Sequence, residues 1–321
     1  RVTVDKNISN VGLVGAGGFA KNFILPNINL VKNANISVLA SSDTASLVNM
    51  KDKYNIQRCV SNIDEALEED ITGIFIANRH SEHFISLKKS FRKGKSVFIE
   101  KPTINTVNEL DELIKLLEDP DYENLLIYTG YNRAYSPHIR FIKDELKHIN
   151  SPVMLSYQMN AGLLKKDNWQ YDVEEGGRNI GEAVHIYHLF GILFESKVTS
   201  LSVSSINGNE LYKPGDNFIA TLRYENGCVG TLNYSSLGSS AYPKESLIIH
   251  SGGKTIKSEN YKKTQVVGGK SFNTSLSEKG HKEVIESFFN SLATGTSYMS
   301  RAEQVETMRI AFSVESELRG D

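Results

Sequence analysis

Apolar residues fall along the chain in two textures. Over roughly the first 130 residues, short uniformly apolar runs alternate with stretches that repeat every three to four positions. Residues 11–14 read as a buried strand, followed by Gly15, Gly17 and Gly18 and then by helical spacing through Phe19, Phe23 and Ile24. Pro26 predicts a kink or break there. Residues 36–40 read as a second strand, 46–54 as a helix and 64–67 as the start of another. Residues 74–77 and 96–99 are predicted strands bracketing a helix that ends near Gly94. Strands joined this way imply right-handed crossovers and an open parallel α/β sheet. From Pro152 the texture changes: 153–159, 198–204, 218–224, 228–234 and 245–250 are strand-like, several alternating apolar with polar as an antiparallel sheet with one wet face does. Asn226-Gly227 predicts a hairpin between two of them. Two amphipathic helices, 281–293 and 301–318, close the chain. The expected organisation is an α/β domain over 1–130 and an α+β, mostly antiparallel open-sheet domain over 131–321.

Composition narrows the classes. A chain of 321 residues with 40% hydrophobic residues has enough apolar surface for a core and is not a disordered one. With 36 basic against 38 acidic residues, no whole-chain field draws in nucleic acid or an anionic membrane. The longest apolar runs are far shorter than a membrane span. No charged-then-apolar leader follows Arg1, and Cys59 and Cys228 lie far apart without metal-ligand spacing. A reducing cytoplasm is the expected location, and neither a disulfide framework nor a metal site is expected.

Val11-Gly12-Leu13-Val14-Gly15-Ala16-Gly17-Gly18-Phe19-Ala20 carries G-x-G-x-x-A between a strand and a helix. Gly15 permits the tight turn, Gly17 lets the backbone approach a pyrophosphate, and Ala20 allows close helix–strand packing. Gly18 and Phe19 open the helix whose N–H groups and dipole favour phosphate. The loop predicts a bound NAD or NADP. An acid at the end of the second strand takes the adenosine ribose in NAD sites and an Arg accommodates a 2′-phosphate. Here Ser41 and Ser42 stand first and Asp43 follows, which leaves NAD and NADP both open.

Ser96-Val97-Phe98-Ile99-Glu100-Lys101-Pro102 ends a predicted parallel strand, where ligands of such sheets bind. Lys101 is then either a proton-handling group beside the cofactor or a surface lysine at a turn. With this E-K-P behind a glycine loop, the chain resembles the Gfo/Idh/MocA family of NAD(P)-dependent oxidoreductases over almost its whole length. It is most similar to a branch of sugar dehydrogenases associated with polysaccharide biosynthesis. The segments that carry this are Ala77-Asn78-Arg79-His80-Ser81-Glu82-His83, Gly130-Tyr131-Asn132-Arg133-Ala134-Tyr135-Ser136-Pro137, Glu175-Gly176-Gly177-Arg178-Asn179-Ile180-Gly181-Glu182-Ala183-Val184-His185, Asn160-Ala161-Gly162 before Trp169, and Lys279-Gly280-His281.

The resemblance implies a Rossmann domain followed by a substrate-binding and oligomerisation domain, and hydride transfer between NAD(P) and a hydroxyl or keto carbon of a sugar or nucleotide sugar. It implies Lys101 near the reacting carbon and His185 as its acid/base partner. Asn78, Arg79 and His83 would lie along the cofactor with Glu100 and Lys101. Asn160, Arg178 and His185 would face the substrate. A homodimer or homotetramer through the sheet is also implied. The chain departs from the family where many members carry an acid four residues before the histidine and another three after it: Gly181 and His188 stand there, and Glu182 is the candidate for the missing carboxylate. Trp169 and Tyr171 either stack on a sugar or pack. His80 and His83 either serve the cofactor or cap a strand end. His185 and His188 are spaced i, i+3 as metal ligands can be, but no third ligand accompanies them. Two other functions stand beside the dehydrogenase: a redox-neutral NAD-dependent sugar enzyme, glycosidase or epimerase-like, and a non-catalytic dinucleotide-binding regulator.

Overall fold

The short apolar runs of the first third become strands with almost every side chain buried, as a sheet covered on both faces requires. The computed structural model describes residues 9–320. Strands β1 (Ser9–Val14), β2 (Ala34–Ala40), β3 (Arg58–Val60), β4 (Gly73–Ile76), β5 (Ser96–Ile99) and β6 (Ile127–Thr129) form one parallel sheet, ordered β3-β2-β1-β4-β5-β6. This order reverses direction between β1 and β4, the place where such sheets bind ligands. Returning helices are α2 (Thr44–Tyr54), α3 (Ile63–Leu67), α4 (His80–Arg92) and α5 (Val107–Glu118). Their starts are written in the sequence: Asp43 and Asn62 accept first-turn N–H groups, and Thr106 with Glu109 makes a reciprocal capping box. Pro26 does not break the chain as expected. A π-type turn, Ala20–Ile24, runs into α1 (Leu25–Ile28), with the Leu25 N–H bonding Ala20 O five residues back. Pro26 then falls in the first turn of α1, where a missing N–H costs nothing.

The second sheet has eight strands: β7 (Met154–Asn160), β8 (Val198–Ser205), β9 (Asn217–Tyr224), β10 (Val229–Ser235), β11 (Glu245–Ser251), β12 (Lys254–Glu259), β13 (Lys263–Val266) and β14 (Ser271–Asn273). Their order is β14-β13-β12-β11-β7-β10-β9-β8, antiparallel except where β7 meets β10. The hairpin at Asn226-Gly227 forms, with Gly227 in the left-handed region (φ 83°). Alternation puts Leu155, Tyr157, Met159, Leu232 and Tyr234 on the buried face. That face packs on α7 (Val184–Phe194): a Cβ on Gly230 would fall 2.6 Å from Phe190. The same unit holds α6 (Pro137–Leu146).

The chain divides into two compact units, residues 9–130 with His281–Val305, and Tyr131–Gly280 with residues 306–320. This corrects the expectation that everything after residue 130 forms one domain. The cause is the apolar stripe of α8 (His281–Thr294), in which Val284, Ile285, Phe288 and Ser291 recur on one helical face. Phe288 packs edge-on to Phe75, Phe98 and Tyr128, with ring centroids 5.4, 5.8 and 5.5 Å apart, so the helix completes the parallel sheet's own core. The loop into α9 (Arg301–Arg319) covers the outer edge of β6: Gln304 Nε2 donates to Ile127 O at 3.0 Å and the Thr129 N–H meets Met299 Sδ. Among the described residues no helix is long and apolar enough to cross a membrane. Arg1, where the expectation about a leader was placed, lies outside the described residues.

Candidate active site

The parallel sheet extends its ladder one residue past each strand. Gly15 N–H bonds Ala40 O, Ala77 N–H bonds Val14 O, Glu100 N–H bonds Ile76 O and Gly130 N–H bonds Ile99 O, all between 2.8 and 2.9 Å. Ser41, Gly15, Ala77, Glu100 and Gly130 therefore make one row along the carboxyl edge. Gly15 is required by this row: its φ is +98°, and a Cβ would collide with the Ala77 carbonyl. Gly130 is required by Glu100, whose Oε1 would lie 2.5 Å from an added Cβ. Gly17 is different. An added Cβ there meets nothing within 4 Å, so the protein itself does not demand glycine at that point. The cleared backbone, opening onto the helical turn at residues 18–24, fits a pyrophosphate, and with Gly18, Phe19 and Ala20 it would hold one.

Glu100 is buried at the end of β5, and burial pushes its carboxyl up to about 8 against the opposing Lys101 ammonium. Lys101 is half-buried, and the Lys101–Pro102 peptide is cis. His83 is fully buried, its Nδ1 lies 2.6 Å from Pro102 O and its Nε2 3.3 Å from Asn78 O. Burial holds it down to about 4, so it is neutral at pH 7 and ties the E-K-P turn to the loop after β4. Asn78 donates to Ser86 Oγ at 3.1 Å, while its buried Oδ1 has no hydrogen-bond partner among the described residues. Arg79 precedes α4 and His80 starts it, nearly buried. Asp43 is engaged as the N-cap of α2, and Ser41 and Ser42 are left at the edge.

In the second unit a π-type turn, Asn179–Ala183, leads into α7 and carries Glu182 just ahead of His185. Turns of this kind recur at functional sites. Glu182 is committed to cations and a hydroxyl: Arg178 Nη2 donates to Oε2 at 3.1 Å, Tyr234 OH to the same oxygen, and Lys244 Nζ to Oε1 at 2.9 Å. It therefore braces Arg178. Arg178 in turn donates to Gly162 O at 2.6 Å and Ala161 O at 3.0 Å. Burial alone would lower its pKa, but Tyr234 and Glu182 outweigh that and raise it. The guanidinium thus clamps the loop after β7, while its buried Nε has no hydrogen-bond partner among the described residues. Asn160 does similar work, donating to Ser239 O at 2.8 Å with Gly238 pressed against its side chain. Tyr171 donates to Asp216 and lies under Lys213, whereas Trp169 remains 37% exposed on the same turn. His185 and His188 are both buried against Tyr131, which stacks on His188 at 4.5 Å and meets His185 edge-on at 6.3 Å. Sequence reasoning missed Tyr131, Tyr234 and Lys244, because strand pairing and helix packing, not spacing, bring them to these positions. Among the described residues no group of His, Cys, Asp or Glu could hold a metal ion.

Residues 9–122 match the family model described as the Gfo/Idh/MocA oxidoreductase family, NAD-binding Rossmann fold, and residues 144–308 match that family's C-terminal alpha/beta domain. An uncharacterized oxidoreductase, YrbE of Bacillus subtilis (strain 168), is 23% identical over 234 residues, covering 70% of this chain and 66% of that protein. The matched stretch thus spans under two thirds of that relative's length. Among solved structures, myo-inositol 2-dehydrogenase from Lactobacillus plantarum aligns with TM-score 0.82 at 15% identity, covering 97% of each chain. The WlbA dehydrogenase from Bordetella pertussis, solved with NADH and UDP-GlcNAcA, aligns with TM-score 0.81 at 14% identity, covering 99% of this chain and 97% of that one.

Proposed function

This chain belongs to the Gfo/Idh/MocA oxidoreductase family, with that family's NAD-binding Rossmann fold in its first unit, and from that premise we propose that it oxidises or reduces a CH–OH carbon of a sugar or nucleotide sugar. The observation that carries the reading is the carboxyl-edge row, in which the glycine loop after β1 and the Glu100-Lys101 pair after β5 flank the end of β4 in one parallel sheet. Gly15, Gly17, Gly18, Phe19 and Ala20 would hold the pyrophosphate, Ser41 and Ser42 the adenosine ribose, and Asn78, Arg79, Glu100 and Lys101 the nicotinamide half. Bound NAD or NADP supplies the hydride acceptor or donor. Lys101 manages the substrate's hydroxyl proton, since an alcohol gives up hydride readily only as that proton leaves. His185, buried at the start of α7, is the second acid/base group. Arg178, Glu182 and Asn160 keep the surrounding loops in place, and Trp169 offers an exposed ring to a sugar face. WlbA, with its UDP-sugar, and the inositol dehydrogenase support polyol and nucleotide-sugar substrates as the first to try.

The test is a screen of nucleotide sugars, free sugars and inositols for formation or consumption of NAD(P)H. Turnover of substrate without change in cofactor absorbance would point instead to redox-neutral chemistry. We further propose a homo-oligomer through the open face of the second sheet. Across its centre Thr221, Thr231, Ser156 and Ile248 lie in one row, and Met154 and Ile219 are exposed nearby. A wide open face with apolar residues across its centre suits self-association, and a monomer mass by light scattering would refute it.

A further inference from the structure

Rossmann sites selective for NAD present an acid just past the second strand to the adenosine ribose hydroxyls, and the same carboxylate repels a 2′-phosphate. Among the described residues just past β2, the first carboxylate is already engaged. Ser41 and Ser42 take the first two places after β2, and the acid that follows is spent on its own helix. Asp43 Oδ1 accepts the Ser46 N–H at 3.2 Å and Oδ2 accepts the Ser46 hydroxyl. These bonds, with the Lys21 charge, hold Asp43 below the usual carboxylate range and thus ionised.

Lys21 cancels the charge of the corner. It leaves the turn that follows the glycine loop and reaches Ser46, its ammonium donating to Oγ at 2.8 Å. The Lys21–Ser46–Asp43 relay therefore sums to zero charge where an NAD-selective corner carries a net negative one. Ser41 Oγ accepts the Asp43 N–H at 3.1 Å, so its own proton stays available to donate, and Ser42 is exposed. An exposed ammonium that reaches the first turn of α2, with two hydroxyl donors at the end of β2, is a donor set for a phosphate monoester. None of the three residues needs to leave a buried position to serve one, since Lys21 and Ser42 are exposed and Ser41 half-buried.

We propose that Lys21, with Ser41 and Ser42, receives the 2′-phosphate of NADP, so that the chain binds NADP(H) within about tenfold of NAD(H). This rests on the dinucleotide reading of the first unit and adds which dinucleotides that unit admits. Lys21 is a specificity residue here and has no part in moving hydride or proton. Because its ammonium is exposed, its contribution to NADP(H) binding weakens as salt is raised, whereas NAD(H) binding lacks that contribution.

The experiment is direct titration of the purified full chain with NADH and with NADPH, read by protein fluorescence or calorimetry, without any substrate. The dissociation constants are expected within about tenfold of each other, and Lys21→Ala should raise the NADPH-to-NADH ratio about tenfold. Ser41→Asp, which restores an uncommitted carboxylate at the first position, should raise that ratio at least as far. Thermal midpoints of both variants show whether loss of the Ser46 bond has loosened α2. A wild-type preference for NADH larger than tenfold, or a ratio that Lys21→Ala leaves unchanged, overturns the inference while the dinucleotide reading stands. Failure of both nucleotides to bind overturns the two together.

Discussion

The carboxyl edge of the parallel sheet and the Arg178–Glu182 cluster of the second unit both carry the residues expected to do chemistry, yet they are built in opposite ways. Along the edge, position comes from the backbone: a continued ladder, a left-handed Gly15, and a Gly17 that touches nothing. In the cluster, position comes from side chains holding one another: Arg178 on two carbonyls and Glu182, and Glu182 on Tyr234 and Lys244. A site placed by backbone keeps its side chains available for ligand. One placed by mutual side-chain bonds spends them on one another.

The sharpest way to break this contrast is at Lys101. Lys101→Met should leave cofactor titration nearly unchanged and lower turnover on the right sugar by ~10²- to 10⁴-fold, the usual range for a lost acid/base group. His185→Asn should act in the same direction. Equal single-turnover rates for wild type and Lys101→Met, at matched thermal midpoints, would take Lys101 out of the mechanism.

Next comes a pair of glycines. Gly17→Val should fold with an unchanged midpoint and lose dinucleotide affinity by about 100-fold or more, since only a ligand needs that space. Gly15→Val should instead fail as a protein, because its Cβ meets the Ala77 carbonyl at a positive φ. If both variants unfold alike, the edge is no cradle and Gly17 serves the fold.

For the second unit, Glu182→Ala should cost about 3 kcal/mol by leaving the buried Arg178 guanidinium without its carboxylate. Urea unfolding measures this. A loss confined to substrate KM with stability intact would restore Glu182 to the chemistry.

The smallest effect is a slope in pH. Glu100 has a folded pKa of about 8 against 4.5 when free, so its contribution to stability is whole below pH 4.5 and fades as pH climbs toward 8. His83, at about 4 against 6.5, is the reverse: its contribution is whole above pH 6.5 and fades as pH falls toward 4. Glu100→Gln should therefore flatten the decline of the thermal midpoint on the alkaline side and leave the acid side sloping. Parallel curves for the two proteins would show that Glu100 does not titrate as its burial demands.

What was legible in the residues follows the same divide. The strands at 11–14, 74–77 and 96–99 and the glycine loop are local patterns, and the structure moves their ends by a residue or two. Strand β6, three residues long, and β12 to β14, polar on their open face, carry too little periodicity to be seen. The bonds that Arg178 and Asn160 make were not legible for another reason. Once buried, a guanidinium or an amide must find acceptors, and those acceptors, Ala161, Gly162, Ser239 and Tyr242, are set by how strands pair rather than by spacing. The resemblance places His83 along the cofactor; that its Nδ1 meets Pro102 O and its Nε2 Asn78 O is set by how the loops after β4 and β5 pack, which spacing does not show.

The helix that closes the core of the parallel sheet is made only after the whole of Tyr131–Gly280. When Gly130 leaves the ribosome, the aromatic floor formed by Phe75, Phe98 and Tyr128 has no lid, and the outer edge of β6 has no guard until Met299 and Gln304 arrive. All of Tyr131–Gly280 must be translated in between. The nucleotide unit therefore cannot mature in step with its own synthesis. It waits as a sheet with a sticky face and a bare edge, the species that chaperones attend and that aggregates when they are short. Cutting the gene after residue 130 to obtain a minimal cofactor-binding module would make that nascent state permanent. A faithful excision has to carry His281–Val305 along, joined back to the sheet it was selected to cover.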